Sequence, residues 1–121
     1  MKFFTQSHLW VDIEHQIATV GISDFARNAI GEVEYLEIAP VGTCVSAGLS
    51  IGTLETAKLV IEIISPVTGV ITNVNSSYGK KKSSVSSIEA SNWICMIQTL
   101  SPKVVYLMSE HEYHEFTSKN N

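Results

Sequence analysis

Between Gly52 and Gly69 the chain packs two apolar runs on either side of a single lysine. The first run, Thr53-Leu54-Glu55-Thr56, and the second, Leu59-Val60-Ile61-Glu62-Ile63-Ile64, are both rich in β-branched residues. β-branched side chains fit the pleated, half-buried surface of a strand better than a helix. Two such runs separated by only Ala57 and Lys58 leave room for a tight hairpin and little else. A helix through this region would lose side-chain freedom at every branched position. The segment therefore commits the chain to β structure and puts Lys58 at a solvated hairpin tip.

The rest of the chain is punctuated in the same way. Residues 9–13 and 16–21 alternate as a second hairpin turning at Glu14-His15. Ser23 suits the N-cap of a short helix over residues 24–30, with Asp24 near its positive end and Gly31 as its stop. A strand is expected over residues 32–38, then Pro40, Gly42 and Gly48 before a strand over 49–55. Ser65-Pro66-Val67-Thr68-Gly69 has turn chemistry, with strands expected over 70–74 and 93–98. Residues 75–92 read as one long serine-rich surface loop carrying Lys80-Lys81-Lys82. Pro102 opens the last section. Ser109 and Glu112 have capping-box spacing, predicting a helix to about residue 116 or 117, with residues 118–121 fraying. Many short strands with Gly/Pro turns and little helix point to a mostly-β domain, a flattened β-sandwich or barrel spanning 1–121.

Composition narrows the function. With 121 residues the chain can bury a core without metal or disulfide support, and 17% charged residues describe an ordinary globular protein. A net charge of -4 argues against nucleic-acid binding. No run is long enough to span a bilayer, and Met1-Lys2-Phe3-Phe4 is too short for a signal core, so the expected compartment is the cytoplasm. Cys44 and Cys95 lack ligand spacing and read as packing residues in a reducing compartment. His111 and His114 share a helix face but have no third ligand, so no metal site is expected. No nucleophile-elbow signature is present, which argues against a hydrolase.

Lys58 at neutral pH is a charged, weak nucleophile, since a free lysine has a pKa of about 10.4. Schiff-base lysines become reactive by burial, and a hairpin tip offers none. An enzyme that supplies its own activated acyl group needs only an accessible lysine on a rigid turn. Glu55, three residues earlier, is a candidate recognition group for that enzyme.

Glu55-Thr56-Ala57-Lys58 with Ser65-Pro66-Val67-Thr68-Gly69 resembles the lipoyl-lysine signature, E-x-x-K with S-P-x-x-G downstream. A biotinyl lysine has methionine on each side, whereas the neighbours here are Ala57 and Leu59. Further motifs resemble the glycine cleavage system H protein family over nearly the whole chain. His8-x-Trp10 is similar to its H-E-W, and Ala18-Thr19-Val20-Gly21-Ile22-Ser23 to its A-T-V-G-I-T. Gly31-Glu32 through Pro40-Val41-Gly42 and Glu112-Tyr113-x-x-Phe116 follow in the family's order.

The resemblance implies the hammerhead-type sandwich of lipoyl and biotinyl carriers, with lipoate in amide linkage to Lys58. It implies a non-catalytic shuttle carrying the aminomethyl group of glycine from the decarboxylase to the aminomethyltransferase, with reoxidation by dihydrolipoamide dehydrogenase. A lipoate ligase or lipoyltransferase would load it, Glu55 would serve ligase recognition, Glu62 would belong to the arm's environment, and the carrier would be a monomer. Four departures from the pattern stand out. Leu9 replaces the glutamate of H-E-W and cannot pair with an ammonium group. Leu59 and Ile64 make the hairpin more apolar. Lys80-Lys81-Lys82 replaces an acidic stretch, and Ile88-Glu89-Ala90-Ser91-Asn92-Trp93 replaces P-Y-x-x-G-W except for the tryptophan. Two alternatives follow: an H-like relay that donates lipoate to 2-oxo-acid dehydrogenase subunits, and an unmodified β-sandwich adaptor in which Lys58 is ordinary.

Overall fold

Alternating apolar and polar residues become nine strands and two helices in a computed structural model that describes residues 1–75 and 93–119. In chain order these are β1 (Lys2–Phe4), β2 (Leu9–Glu14), β3 (Ile17–Ile22), α1 (Asp24–Ile30), β4 (Val33–Ile38), β5 (Cys44–Val45) and β6 (Ser50–Thr56). They continue with β7 (Val60–Ile64), β8 (Val67–Val74), β9 (Trp93–Val104) and α2 (Glu110–Lys119). A six-stranded antiparallel sheet, β1-β2-β3-β9-β8-β5, faces a three-stranded one, β4-β6-β7.

Register explains what lies between them. Leu36, Leu54 and Ile61 are directly opposed across the three-stranded sheet. Opposed residues share a face, and these pack with Ile63 into the cluster of Val11, Ala18, Val20, Val67, Ile71 and Ile97 from the larger sheet. Each such aliphatic side chain contributes about 1.5–3 kcal/mol on full burial.

Local chemistry set several boundaries. His15 (φ 51°) and Gln16 (φ 67°) both take left-handed backbone between the paired residues Glu14 and Ile17. That is the two-residue hairpin turn whose twist matches its strands, one position later than the pattern suggested. Ser23 Oγ accepts from the Ala26 amide at 3.1 Å, and the Gly31 amide donates to the Arg27 carbonyl, so α1 begins and ends as expected. Ser109 and Glu112 form the capping box, with Ser109 Oγ accepting from the Glu112 amide at 3.1 Å and Glu112 Oε1 from the Ser109 amide at 2.9 Å. The helix then runs to Lys119, beyond the expected end, with the Thr117 and Ser118 hydroxyls both donating to the His114 carbonyl in its last turn.

Other expectations change. Val67, Thr68 and Gly69, read as turn, are the first residues of β8. Ser65 and Pro66 alone carry the chain from one sheet to the other. Ser65 accepts from the Gly48 amide, donates its own amide to Leu49, and its Oγ donates to the Val67 carbonyl at 2.7 Å. Two fully hydrogen-bonded, buried residues suffice for the crossing. Gly69 must be glycine, since a Cβ there would collide with the Gln98 backbone carbonyl. Strand β9 also continues through Pro102: Thr99 pairs with Gly69 and Val104 with Val67, so the intervening residues bulge where no ladder donor is needed. Cys44 is exposed, not packed, because β5 is a two-residue edge strand that turns Val45 inward and Cys44 out. Strands β1 and β5 are too short to show alternation in the sequence. The expected loop over 76–92, with its lysine triplet, lies outside the described residues.

Candidate functional site

Strands β6 and β7 meet in a four-residue turn, Thr56-Ala57-Lys58-Leu59, closed by the Thr56 amide donating to the Leu59 carbonyl at 2.9 Å. The Thr56 hydroxyl sits under the turn and accepts from the amides of Lys58 (3.2 Å) and Leu59 (3.3 Å). Its side chain is buried, so the turn is anchored to the core from below. Ala57 and Lys58 are exposed above it. Among the described residues no carboxylate lies within ion-pair distance of Lys58, and Glu55 does not bridge to it. The lysine stands free on a rigid support.

Glu55 and Glu62 both leave the outer face of the small sheet. Glu55 is opposed by Tyr35 on β4 and Val60 on β7; Glu62 is opposed by Thr53, which in turn faces Glu37. On the inner side of β7, between the hairpin and α1, lies an apolar groove of about 340 Å³. Leu9, Phe25, Ile30, Ile61 and Ile63 line it, with Ser7, His8 and Glu62 as polar members. Ile61 is three residues from Lys58, about 10 Å along an extended strand. Leu9 is 3% exposed and belongs to the core, so the groove's floor carries no charge at that position. Glu62, on the edge strand, borders both the groove and the outer face.

The chain belongs to the glycine cleavage H-protein family. That family matches residues 2–120. A mitochondrial protein of Schizosaccharomyces pombe, named as a glycine cleavage system H protein, is 38% identical over 99% of this chain and 72% of its own length. A glycine cleavage system H protein of Caldanaerobacter subterraneus is 32% identical over 94% of this chain and 92% of its own. The crystal structure of the H protein of Mycobacterium marinum superposes with a TM-score of 0.86, covering 97% of this chain and 96% of that one at 27% identity. An H protein is a carrier component of a multienzyme system, and this chain is not an enzyme.

Seen as an H protein, the chain divides its two signature motifs between different jobs. Glu55-x-x-Lys58 forms the hairpin and its outer face. Ser65-Pro66-x-x-Gly69 is the crossing between sheets at the opposite end of β7, and it holds the hairpin's base instead of its tip. Two further motifs meet in a way their spacing did not reveal. The His8 ring Nδ1 lies 2.8 Å from Tyr113 Oη, which lies 2.7 Å from Ser23 Oγ. This chain of hydrogen bonds joins α2, the cap of α1 and a wall of the groove. Burial lowers the His8 pKa; burial also raises that of Tyr113, with the Ser23 hydrogen bond opposing it. Phe25 and Phe116 pack around the same imidazole at 5.2 and 5.9 Å between ring centres. The sequence signal was the pairing of His8-x-Trp10 with Glu112-Tyr113-x-x-Phe116, which showed only as two separate motifs. Trp10 is half-buried, its indole lying against Gly21 with Lys2 Nζ 5.0 Å from the ring centre. His111 Nε2 lies 3.6 Å from Glu115, and no metal-binding group of three residues occurs among the described residues.

Proposed function

We propose that lipoate is carried in amide linkage on Lys58, and that residues 1–121 act as one monomeric carrier domain. The load is the aminomethyl group of glycine, taken from the decarboxylase to the aminomethyltransferase, with dihydrolipoamide dehydrogenase restoring the disulfide. The observation that carries this reading is a free lysine on a turn locked by Thr56, within E-x-x-K of an H-protein chain. When bound, the lipoyl group supplies a redox-active disulfide that accepts and releases the load. The chain supplies shape. Amide formation removes the Lys58 charge, which suits the mostly apolar lining of the neighbouring groove. Ile61 and Ile63 give that groove apolar surface for the arm, and Glu62 is the carboxylate at its mouth. Glu55 stands beside the hairpin, where a lipoate ligase or lipoyltransferase must approach. A long tether raises the effective concentration of the load at each partner.

No described helix is long and apolar enough to cross a membrane. Two free cysteines are consistent with a reducing compartment, and we assign the cytoplasm. The family match argues against the unmodified adaptor, and the relatives' names favour glycine cleavage over a lipoate relay. Intact-mass measurement on protein from its own cell is the test. A lipoyl-sized addition that disappears in Lys58→Arg is expected; unmodified native protein, or an addition that survives the substitution, sinks the reading. Reconstitution with the other glycine-cleavage components should then give glycine–bicarbonate exchange.

A further inference from the structure

The inner face of the three-stranded sheet packs on the core and, beside α1, lines the apolar groove; its outer face has no partner among the described residues. Antiparallel pairing sets six side chains there as two rows of three: Tyr35-Glu55-Val60 and Glu37-Thr53-Glu62. Tyr35 is 44% and Val60 is 60% exposed, and the three glutamates are exposed. Among the described residues no cation pairs with Glu37, Glu55 or Glu62. The panel is about 10 Å wide across the strands and ends at Lys58. It is a rigid, mixed apolar and acidic surface beside the lysine.

We propose that this panel is the docking surface for the enzyme that acylates Lys58, a partner presenting basic side chains around an apolar contact. The proposal rests on the lipoyl reading of Lys58. Partners that later serve the load meet the end of a long arm and can bind at a distance. The acylating enzyme must reach the bare amine, which ends a four-carbon stem. In that step the ammonium loses one proton to solvent before attack, and the nitrogen sheds a second as the amide forms. Its nitrogen attacks the carbonyl of an activated acyl donor such as an acyl adenylate, the C–N bond forms, and the acyl–oxygen bond breaks with departure of AMP. An enzyme gripping Lys58 that closely must rest on a surface adjoining the turn. The inner face packs on the core through Leu36 and Leu54 and is open only at the apolar groove, so the outer panel is the charged sheet surface that adjoins the turn. Unpaired carboxylates steer a basic partner and exclude an acidic one, while Tyr35 and Val60 supply the apolar contact. Glu37 and Tyr35 lie on β4, outside the lysine motif, and acquire a role only through register.

The experiment uses the full unmodified chain with purified lipoate–protein ligase, lipoate and ATP, following acylation by mass. Glu37→Lys should raise KM about tenfold, leave kcat within about twofold, and flatten the rise of KM with salt. Glu37→Gln, a milder change that keeps the test open if charge reversal unfolds β4, should raise KM about threefold. Glu14→Lys, on the other sheet, should do neither. An unchanged KM in both Glu37 variants overturns the docking proposal, as does an equal rise in Glu14→Lys, which would show net charge alone at work. Normal ligation with slowed exchange in preloaded Glu37→Lys would assign the panel to the decarboxylase and also overturn it. Failure of ligase to modify the wild-type chain at Lys58 would instead overturn the lipoyl reading itself.

Discussion

Replacing Thr56 by valine tests whether the lysine's turn is held from below. Valine keeps the β-branched shape that fills this buried position and removes only the hydroxyl. Two hydrogen bonds are lost, from the Lys58 amide at 3.2 Å and the Leu59 amide at 3.3 Å. Both are longer than the usual N–H···O distance, so each contributes at the low end, about 0.5 kcal/mol. The freed amides belong to exposed residues and can bond to water, so no buried donor is stranded. The sum is about 1 kcal/mol, or roughly a fivefold increase in opening of the turn. The Thr56 amide bond to Leu59 and the β6–β7 ladder remain. Amide hydrogen exchange should therefore quicken about fivefold at Lys58 and Leu59 only, and ligation should weaken by no more than that factor. Thr56→Ser, which keeps the oxygen, should restore protection. Unchanged exchange at both amides would refute the argument. Loss of protection along all of β6 and β7 would also refute it, by showing that Thr56 supports the sheet and not the turn.

Gly69→Ala forces a Cβ onto the Gln98 backbone, where β8 and β9 must part; a loss of about 1–3 kcal/mol is expected in chemical denaturation, and none would contradict the close approach. Thiol titration should find one reactive cysteine in the native protein, the exposed Cys44, since burial pushes the Cys95 thiol up to about 12; both should react in guanidinium. For His8 the folded pKa lies below the unfolded value, so between them the unfolded chain binds more protons. Its contribution to stability is full above about pH 6.5 and lost as pH falls toward the folded pKa. Urea midpoints should drop across that window with a proton slope below one, and His8→Gln should flatten the drop. Tyr113→Phe removes the link between His8 and Ser23 and should cost about 1–2 kcal/mol, less when made in Ser23→Ala than in the wild type; equal costs would show no coupling between the two residues.

The readable parts of this chain were those governed by neighbours in sequence. Branched residues around Ala57 and Lys58, Ser23 before Asp24, Gly31, and Ser109 with Glu112 act within a few positions, and each element formed where they indicated. The short motifs also carried the family. Tertiary structure decided everything that depends on which backbone lies alongside. Ser65-Pro66 became a crossing because Gly48 and Leu49 supply its hydrogen bonds, and Pro102 stayed in a strand because β9 bulges there against β8. Cys44 faced outward because β5 is an edge. His8 met Tyr113 across 105 residues, and Ser23 met it across 90. Leu9 sank into the core, and Tyr35 and Glu37 came to stand beside Glu55 and Glu62 through register alone. Local turn and cap chemistry is written in adjacent residues; register and burial are set only when distant strands pair, and a one-residue slip would send every side chain to the other face.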